Sequence, residues 1–398
     1  MNKKDLASFK RQLKNGGNVI IDQICRFYIH SESKAIVHQE SAYFAKLSET
    51  EQELYFQNFK KILSGGTDEK LFELPFKQED GACGQSFLYR MLRAGKAGTV
   101  GADGKSGIEG DDLESYAAQM IQKINETCSY EMDFVVHFIR CQFTTAPKKV
   151  SVDDTYPMAS QDSGQDGGYS MDFLLCSINR IQRAEAAVKF EFSRKQFTLS
   201  ASLSELVDLK NPVEGFMFPT IVEGGADVNK VVYYSSRSNS RNLELIEQVL
   251  NADVSMTAED EKERFDRLVS TVVGEKAKPE LIKSIYESID TLIQEEESEE
   301  EPRVSLSFLE KTLSESGVDT TRYQEIAKEI VPDATEFKAA NIIPKFSKKS
   351  LVINTETVSI SISPKHLDLL RTVIDERGRK CIQIEVEDDV EINGILLQ

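Results

Sequence analysis

Apolar segments rich in isoleucine, valine, phenylalanine and tyrosine recur through the first 235 residues of this chain. Side chains of these types fit a pleated, half-buried surface, so the segments predict β-strands. We predict strands over residues 18–29, 132–143, 171–179, 187–192, 196–202, 215–222 and 231–234. Because proline cannot donate a hydrogen bond to a strand ladder, Pro219 predicts that the segment 215–222 is an edge strand or is bulged.

Helical patterns accompany these strands. An apolar stripe at helical spacing predicts an amphipathic helix over residues 2–14. Ser48 and Glu51 have the spacing of a capping box, which predicts a helix start. From Thr257 onward the apolar residues recur mainly at helical spacing, until alternation typical of strands returns after about residue 350.

These patterns predict an α+β fold. We expect a mixed, mainly antiparallel sheet with flanking helices, then helical hairpins and a small β-rich C-terminal region. The predicted parts are an N-terminal α+β body over residues 1–250, an acidic helical hairpin and linker over 251–301, and an αα-hairpin with a β-rich tail over 302–398. The middle part holds 16 acidic and six basic residues, which is typical of a solvated segment.

The negative net charge of the chain argues against some classes of function. The chain has 398 residues, of which 66 are acidic and 48 basic, so its formal net charge is −18. Phosphate groups and anionic lipids repel such a surface, which argues against a general nucleic-acid or membrane coat. No apolar run has the length of a signal-peptide core or a membrane helix, and we expect a cytoplasmic protein.

The segments that resemble familiar catalytic motifs do not have the residues or the spacing that those motifs require. Gly104-Lys105-Ser106 resembles the end of a phosphate-binding P-loop, but Thr99 stands where that motif needs its first glycine. Cys83 lies between glycines near a predicted helix start, a position that favours a nucleophilic thiolate. The alternative interpretation is a tight turn before a helix. We interpret His137, on a predicted strand, as a core or interface histidine. The sequence predicts no cofactor, no metal site and no catalytic residue.

The stretch from Gly215 to Arg241 is the strongest candidate for a ligand site. Tyrosines, a serine and arginines follow one another where a predicted strand ends, which is typical of a pocket rim. The alternative is a β-hairpin whose two tyrosines lie on opposite faces of the sheet. The candidate ligand-binding residues are Asp227, Tyr233, Tyr234, Ser235, Arg237 and Arg241.

Five segments of the chain carry a resemblance to a known family. They are MNKKDLASFKRQL, LSETEQELYFQNFKKILSGG, GFMFPTIVEGGADVNKVVYYSS, LIEQVLNADVSMTAEDEKERFDRLV and KCIQIEVEDDVEINGILL. Together they resemble, from end to end, the bacterial family called domain of unknown function 4317. The resemblance implies a bacterial cytoplasmic protein and implies no activity, cofactor or catalytic residue. The glycine-rich stretch 95–110 departs from the family pattern as an insertion.

Three functions therefore compete. The first is a non-enzymatic binding or regulatory protein with a protein partner or self-association. The second is an enzyme whose site is built from Asp, Tyr and Arg side chains around residues 227–241. The third is a nucleic-acid-associated protein that uses local basic patches, either the N-terminal helix or Lys345, Lys348 and Lys349.

Overall fold

A computed structural model gives the fold of the chain. It describes residues 3–78, 83–95, 112–145, 169–183, 187–191, 193, 195–200, 205–222, 225–254, 256–274, 279–295, 302–332, 335–344, 351–354, 357–386, 391–392 and 395–396. The predicted P-loop-like residues and nearly all of the glycine-rich stretch lie outside the described residues, as do Lys345, Lys348 and Lys349.

The chain forms two compact units, Met1–Ser255 and Met256–Gln398. The helices of the first unit are α1 (Lys3–Gln12), α2 (Glu49–Ile62), α3 (Gln85–Arg93) and α4 (Leu113–Thr127), with a π-helical turn over Glu244–Val249. Its strands are β1 (Val19–His30), β2 (Ala35–Tyr43), β3 (Leu71–Pro75), β4 (Phe134–Thr145), β5 (Tyr169–Arg183), β6 (Ala187–Glu191), β7 (Gln196–Ser200), β8 (Glu205–Val207), β9 (Glu214–Phe218), β10 (Thr220–Val222), β11 (Gly225–Asp227) and β12 (Lys230–Ser235).

One antiparallel sheet organises the first unit. Its strand order is β2-β1-β4-β5-β9-β12-β3, and β8 pairs with the far end of β5. Hydrophobic clusters cover both faces. One face packs against α3, α4 and the π-helical turn, and the other packs against α1 and α2. Side chains alternate between the two faces along each strand, so neighbouring residues of one strand belong to different cores.

Helix α1 is docked on the sheet through its apolar stripe. Leu6, Phe9 and Leu13 are buried, and the Phe9 ring meets the edges of Phe143 and Phe173 at centroid distances of 5.3 and 5.2 Å. Most of the basic residues of the helix remain on its outer side. This is the docked arrangement that the amphipathic pattern predicts.

The second unit consists of helices and short hairpins. Its helices are α5 (Ala258–Val273), α6 (Pro279–Glu295), α7 (Leu306–Glu315), α8 (Tyr323–Ile330) and α9 (Ala339–Ile342), with a 3₁₀ segment over Pro364–Leu369. Its strands are β13 (Arg303–Ser305), β14 (Glu336–Lys338), β15 (Leu351–Asn354), β16 (Ser359–Ile362), β17 (Leu370–Ile374), β18 (Lys380–Ile384), β19 (Glu391–Ile392) and β20 (Ile395–Leu396). The five helices share one hydrophobic cluster.

The α+β prediction is confirmed, with its antiparallel sheet, flanking helices and small C-terminal hairpins. The edge-strand alternative predicted from Pro219 is wrong. The segment 215–222 contains two strands, because Pro219 separates β9 from β10, and β9 lies between β5 and β12 inside the sheet. Pro219 has no backbone N–H to donate, and it lies where the ladder of β9 ends.

Each helix among the described residues is too short or too polar to cross a lipid bilayer. The six cysteines all fall within the described residues, and none forms a disulfide. Five of the six are buried, as expected for cysteines that serve as small hydrophobic residues.

Candidate functional site

A cleft of about 320 Å³ opens in the first unit where β12 ends. Its walls come from the segment 129–134, which leads into β4, from residues 213–214 at the start of β9, and from the segment 233–242. Arg180 of β5 completes the lining. Four stretches that are distant in sequence therefore meet here because β4, β5, β9 and β12 are consecutive in the sheet.

Glu214 is the central acidic group of the cleft wall. It is only 4% exposed, and its two carboxylate oxygens accept hydrogen bonds from three side chains. Oε1 accepts from the Tyr130 hydroxyl and from Asn242 Nδ2 at 3.0 Å, and Oε2 accepts from the Tyr233 hydroxyl at 2.8 Å. Burial raises the pKa of Glu214, although the three donors favour its charged form.

Two tyrosines, Tyr130 and Tyr233, donate hydrogen bonds to the Glu214 carboxylate. Burial, followed by the nearby charge of Glu214, raises the pKa of both Tyr130 and Tyr233. The hydroxyl of Tyr233 also accepts a hydrogen bond from the backbone N–H of Asn242 at 3.1 Å. Both phenols therefore stay protonated at neutral pH and act as hydrogen-bond donors to the carboxylate.

The loop after β12 returns to the cleft because backbone hydrogen bonds anchor it. The N–H of Asn239 donates to the carbonyl of Glu69 at 2.7 Å, and Asn239 adopts a left-handed φ of 56°. Asn242 then contacts three groups. Its side-chain amide donates to Glu214, its backbone donates to Tyr233, and its Oδ1 accepts from the N–H of Leu245 at 3.2 Å.

The open side of the cleft is rich in hydrogen-bond donors. Arg180 and Arg237 are exposed, and the half-buried guanidinium of Arg241 lies 5.8 Å from the centre of the Phe72 ring. Four serines, at residues 129, 235, 236 and 240, also line the cleft. Such a lining can bind a polar ligand that offers several acceptor atoms.

The six predicted site residues divide into two groups. Tyr233, Ser235, Arg237 and Arg241 line the cleft. Tyr234 lies on the opposite face of the sheet, in the core beneath α1 and α2, as the alternation along a strand requires.

Asp227 also lies outside the cleft lining. Its Oδ1 accepts from the backbone N–H of Asn229 at 2.9 Å, and its other oxygen lies 4.0 Å from Lys230 Nζ. These contacts hold the turn between β11 and β12, so Asp227 has a structural role there.

Sequence reasoning missed most of the cleft lining, including Tyr130, Arg180, Glu214 and Asn242. Only Glu214 carried a signal, because it is a charged residue at the first position of a strongly apolar strand. Tyr130 lies 84 positions before Glu214, and no spacing rule connects two such residues.

The other candidates from the sequence lie outside this cleft. His137 is buried, its Nδ1 lies 3.2 Å from Asn179 Oδ1, and burial lowers its pKa to about 3, which confirms the core alternative of that interpretation. Burial raises the pKa of Cys83 to about 12, the opposite of what a nucleophilic thiolate needs. Among the residues that the structure describes, no three metal-ligating side chains are grouped together.

Comparison with family models assigns the chain to a family. The model of a family described as a domain of unknown function, DUF4317, matches residues 1–395, which is nearly the whole chain. The curated proteins compared with the chain contain no match.

Proposed function

We propose that this chain, which belongs to the DUF4317 family, is a cytoplasmic binding protein that holds a small polar ligand in the cleft beside Glu214. The hydrogen bonding of Glu214 carries the proposal. Tyr130, Tyr233 and Asn242 direct three donors at its two oxygens, so the carboxylate is already committed to protein partners. A carboxylate whose oxygens are hydrogen-bonded to the protein holds the cleft wall in one shape. A general base, in contrast, needs a lone pair that is directed at its substrate.

The size and composition of the cleft support ligand binding. Its volume of about 320 Å³ lies at the lower end of the range of small-molecule sites, roughly 300–1,000 Å³. Three arginines and four serines line the cleft, and a buried carboxyl hydrogen-bonded to two phenols forms part of its wall. A rigid wall lowers the cost of ordering the site when the ligand binds.

The cytoplasmic part of the proposal rests on the cysteines. Buried thiols in a chain of this size are typical of proteins from a reducing compartment. Association with a protein partner, or with a second copy of the chain, stays a separate prediction that light scattering tests directly.

An enzyme is the second candidate, and one observation favours it. The pKa of Glu214 is raised, and two phenols contact its carboxylate in the wall of a cleft, a pattern that also occurs at acid–base sites. Conversion of a bound molecule to a product would move the proposal from binding to catalysis.

A methyl label on methionine tests the binding proposal. The side chain of Met132 lines the cleft and is 46% exposed, whereas Met256 lies in the second unit and serves as the control. Spectra of the ¹³C-methyl-methionine protein are recorded with acidic, neutral and basic fragments, and Met132→Leu identifies the signal. We expect polar fragments to shift the Met132 methyl and to leave Met256 in place. A Met132 signal that no fragment moves at millimolar concentration would exclude the proposal.

A further inference from the structure

The loop that follows β12 is unusually dense in hydrogen-bond donors. Residues 235–241 read SSRSNSR, and five of these seven residues line the cleft. Arg237 and Arg241 bring guanidinium groups, and the serines between and before them bring hydroxyls. Guanidinium groups and hydroxyls are the side chains that surround oxyanions in proteins.

The cleft reverses the charge balance of the chain. Three arginines and two glutamates line it, whereas the whole chain has 48 basic and 66 acidic residues. Of the two glutamates, Glu131 is exposed, whereas Glu214 is only 4% exposed behind its three donors. The groups that an incoming molecule meets first are therefore mainly cationic.

An apolar wall stands beside the donor-rich loop. Met132, Phe134 and Val213 contribute carbon surface to the same cleft. A bare inorganic ion has no apolar part that can pack on this surface, whereas an organic group attached to an oxyanion can pack on it.

We infer that the cleft binds a phosphomonoester, with its phosphate against Arg237, Arg241 and the serines of the loop, and its organic part against Met132 and Phe134. The inference rests on the proposed function and gives its ligand class. A phosphate group offers three terminal oxygens, so it can satisfy two guanidinium groups and a hydroxyl together, whereas a carboxylate offers only two oxygens.

Titration of the full chain tests this ligand class. Inorganic phosphate, methyl phosphate and acetate are added at constant ionic strength, and the Met132 methyl signal reports occupancy of the cleft. We expect saturable shifts with both phosphates and tighter binding of methyl phosphate, because its methyl group packs on the apolar wall. Acetate should bind at least about tenfold more weakly, since it lacks the third oxygen.

Variants locate the phosphate. Arg237→Gln and Arg241→Gln should each weaken methyl phosphate binding about tenfold or more, because each removes charge-assisted hydrogen bonds. Arg267→Gln removes the same charge from an exposed position on α5 and is expected to leave binding unchanged. Arg237 is exposed, so Arg237→Gln should leave the melting temperature near that of the wild type. If Arg241→Gln perturbs packing on Phe72 and lowers stability, the Arg237→Gln variant alone decides the test.

The outcomes separate the inference from the proposed function. If acetate or a neutral fragment shifts Met132 while neither phosphate does, the phosphomonoester inference is wrong and ligand binding stands. Unchanged phosphate affinity in both cleft variants would also overturn the inference, since the phosphate would then bind elsewhere. If no compound of any class moves the Met132 signal, both proposals fail.

Discussion

Tyr233 and Tyr234 are adjacent in sequence, yet removal of their hydroxyl groups should have very different effects. The Tyr233 hydroxyl donates to Glu214 Oε2 at 2.8 Å and accepts from the N–H of Asn242 at 3.1 Å. The hydroxyl of Tyr234 lies on the other face, and burial alone raises its pKa. Tyr233→Phe therefore tests the Glu214 cluster, and Tyr234→Phe is its matched control in the same strand.

The expected loss follows from the two hydrogen bonds. A hydrogen bond to a buried charged group contributes about 1.5–3 kcal/mol, and Glu214 is too deeply buried for water to replace the lost donor. The N–H of Asn242 lies at the half-buried edge of the cleft, where water can take over, so its loss adds about 0.5–1 kcal/mol. We expect Tyr233→Phe to lower the free energy of unfolding by about 2–4 kcal/mol, and Tyr234→Phe by less than about 1 kcal/mol.

Urea unfolding measures the difference between the two variants. The chain contains no tryptophan, so the methyl signal of Met217, which is buried in the first unit, reports the folded fraction of that unit. The transition midpoint should fall for Tyr233→Phe at an unchanged slope. Equal losses for the two variants would refute the reasoning, because they would show that the hydroxyl bonded to Glu214 contributes no more than the hydroxyl of Tyr234.

Three further predictions concern stability elsewhere in the first unit. Burial lowers the pKa of His137 from its ordinary 6.5 to about 3, so only the unfolded state binds its proton between these values. The free energy of unfolding should then fall by about 1.4 kcal/mol per pH unit below pH 6.5, a slope that His137→Gln should reduce and the exposed-site control His38→Gln should not. Phe9→Ala should cost about 3–5 kcal/mol in urea unfolding, because the ring is fully buried between two other phenylalanines, and a loss below about 1 kcal/mol would contradict the docking of α1. Ser48→Ala should cost about 1 kcal/mol by removal of the capping box of α2, whereas Thr50→Ala, exposed in the same turn, should cost less than half of that.

Local patterns predicted much of the fold. The apolar segment 18–29 becomes β1 at Val19–His30, and the capping box at Ser48 begins α2 as its spacing requires. Both features depend on interactions within a few residues, which a sequence displays directly. The alternation of Tyr233 and Tyr234 between the two faces was predictable for the same reason.

Features that depend on strand order could not be predicted in this way. The position of β9 inside the sheet follows from its pairing with β5 and β12, and nothing within the segment 215–222 specifies either neighbour. The Glu214 cluster has the same origin, since Tyr130 and Asn242 approach the carboxylate only after the strands assemble. A single sequence indicated one wall of the cleft, the loop at 235–241, because that wall is contiguous in the chain.

Strand β12 is buried on both faces, and this limits the positions at which a substitution can change the ligand specificity of the cleft. Residues 231–234 fill two cores at once, so a substitution there disturbs hydrophobic packing before it alters recognition. The loop residues that follow are mostly solvated on one side and tolerate new side chains. Redesign of the site for another ligand should therefore retain the strand and vary positions 236, 237 and 240, where a changed contact does not weaken the scaffold.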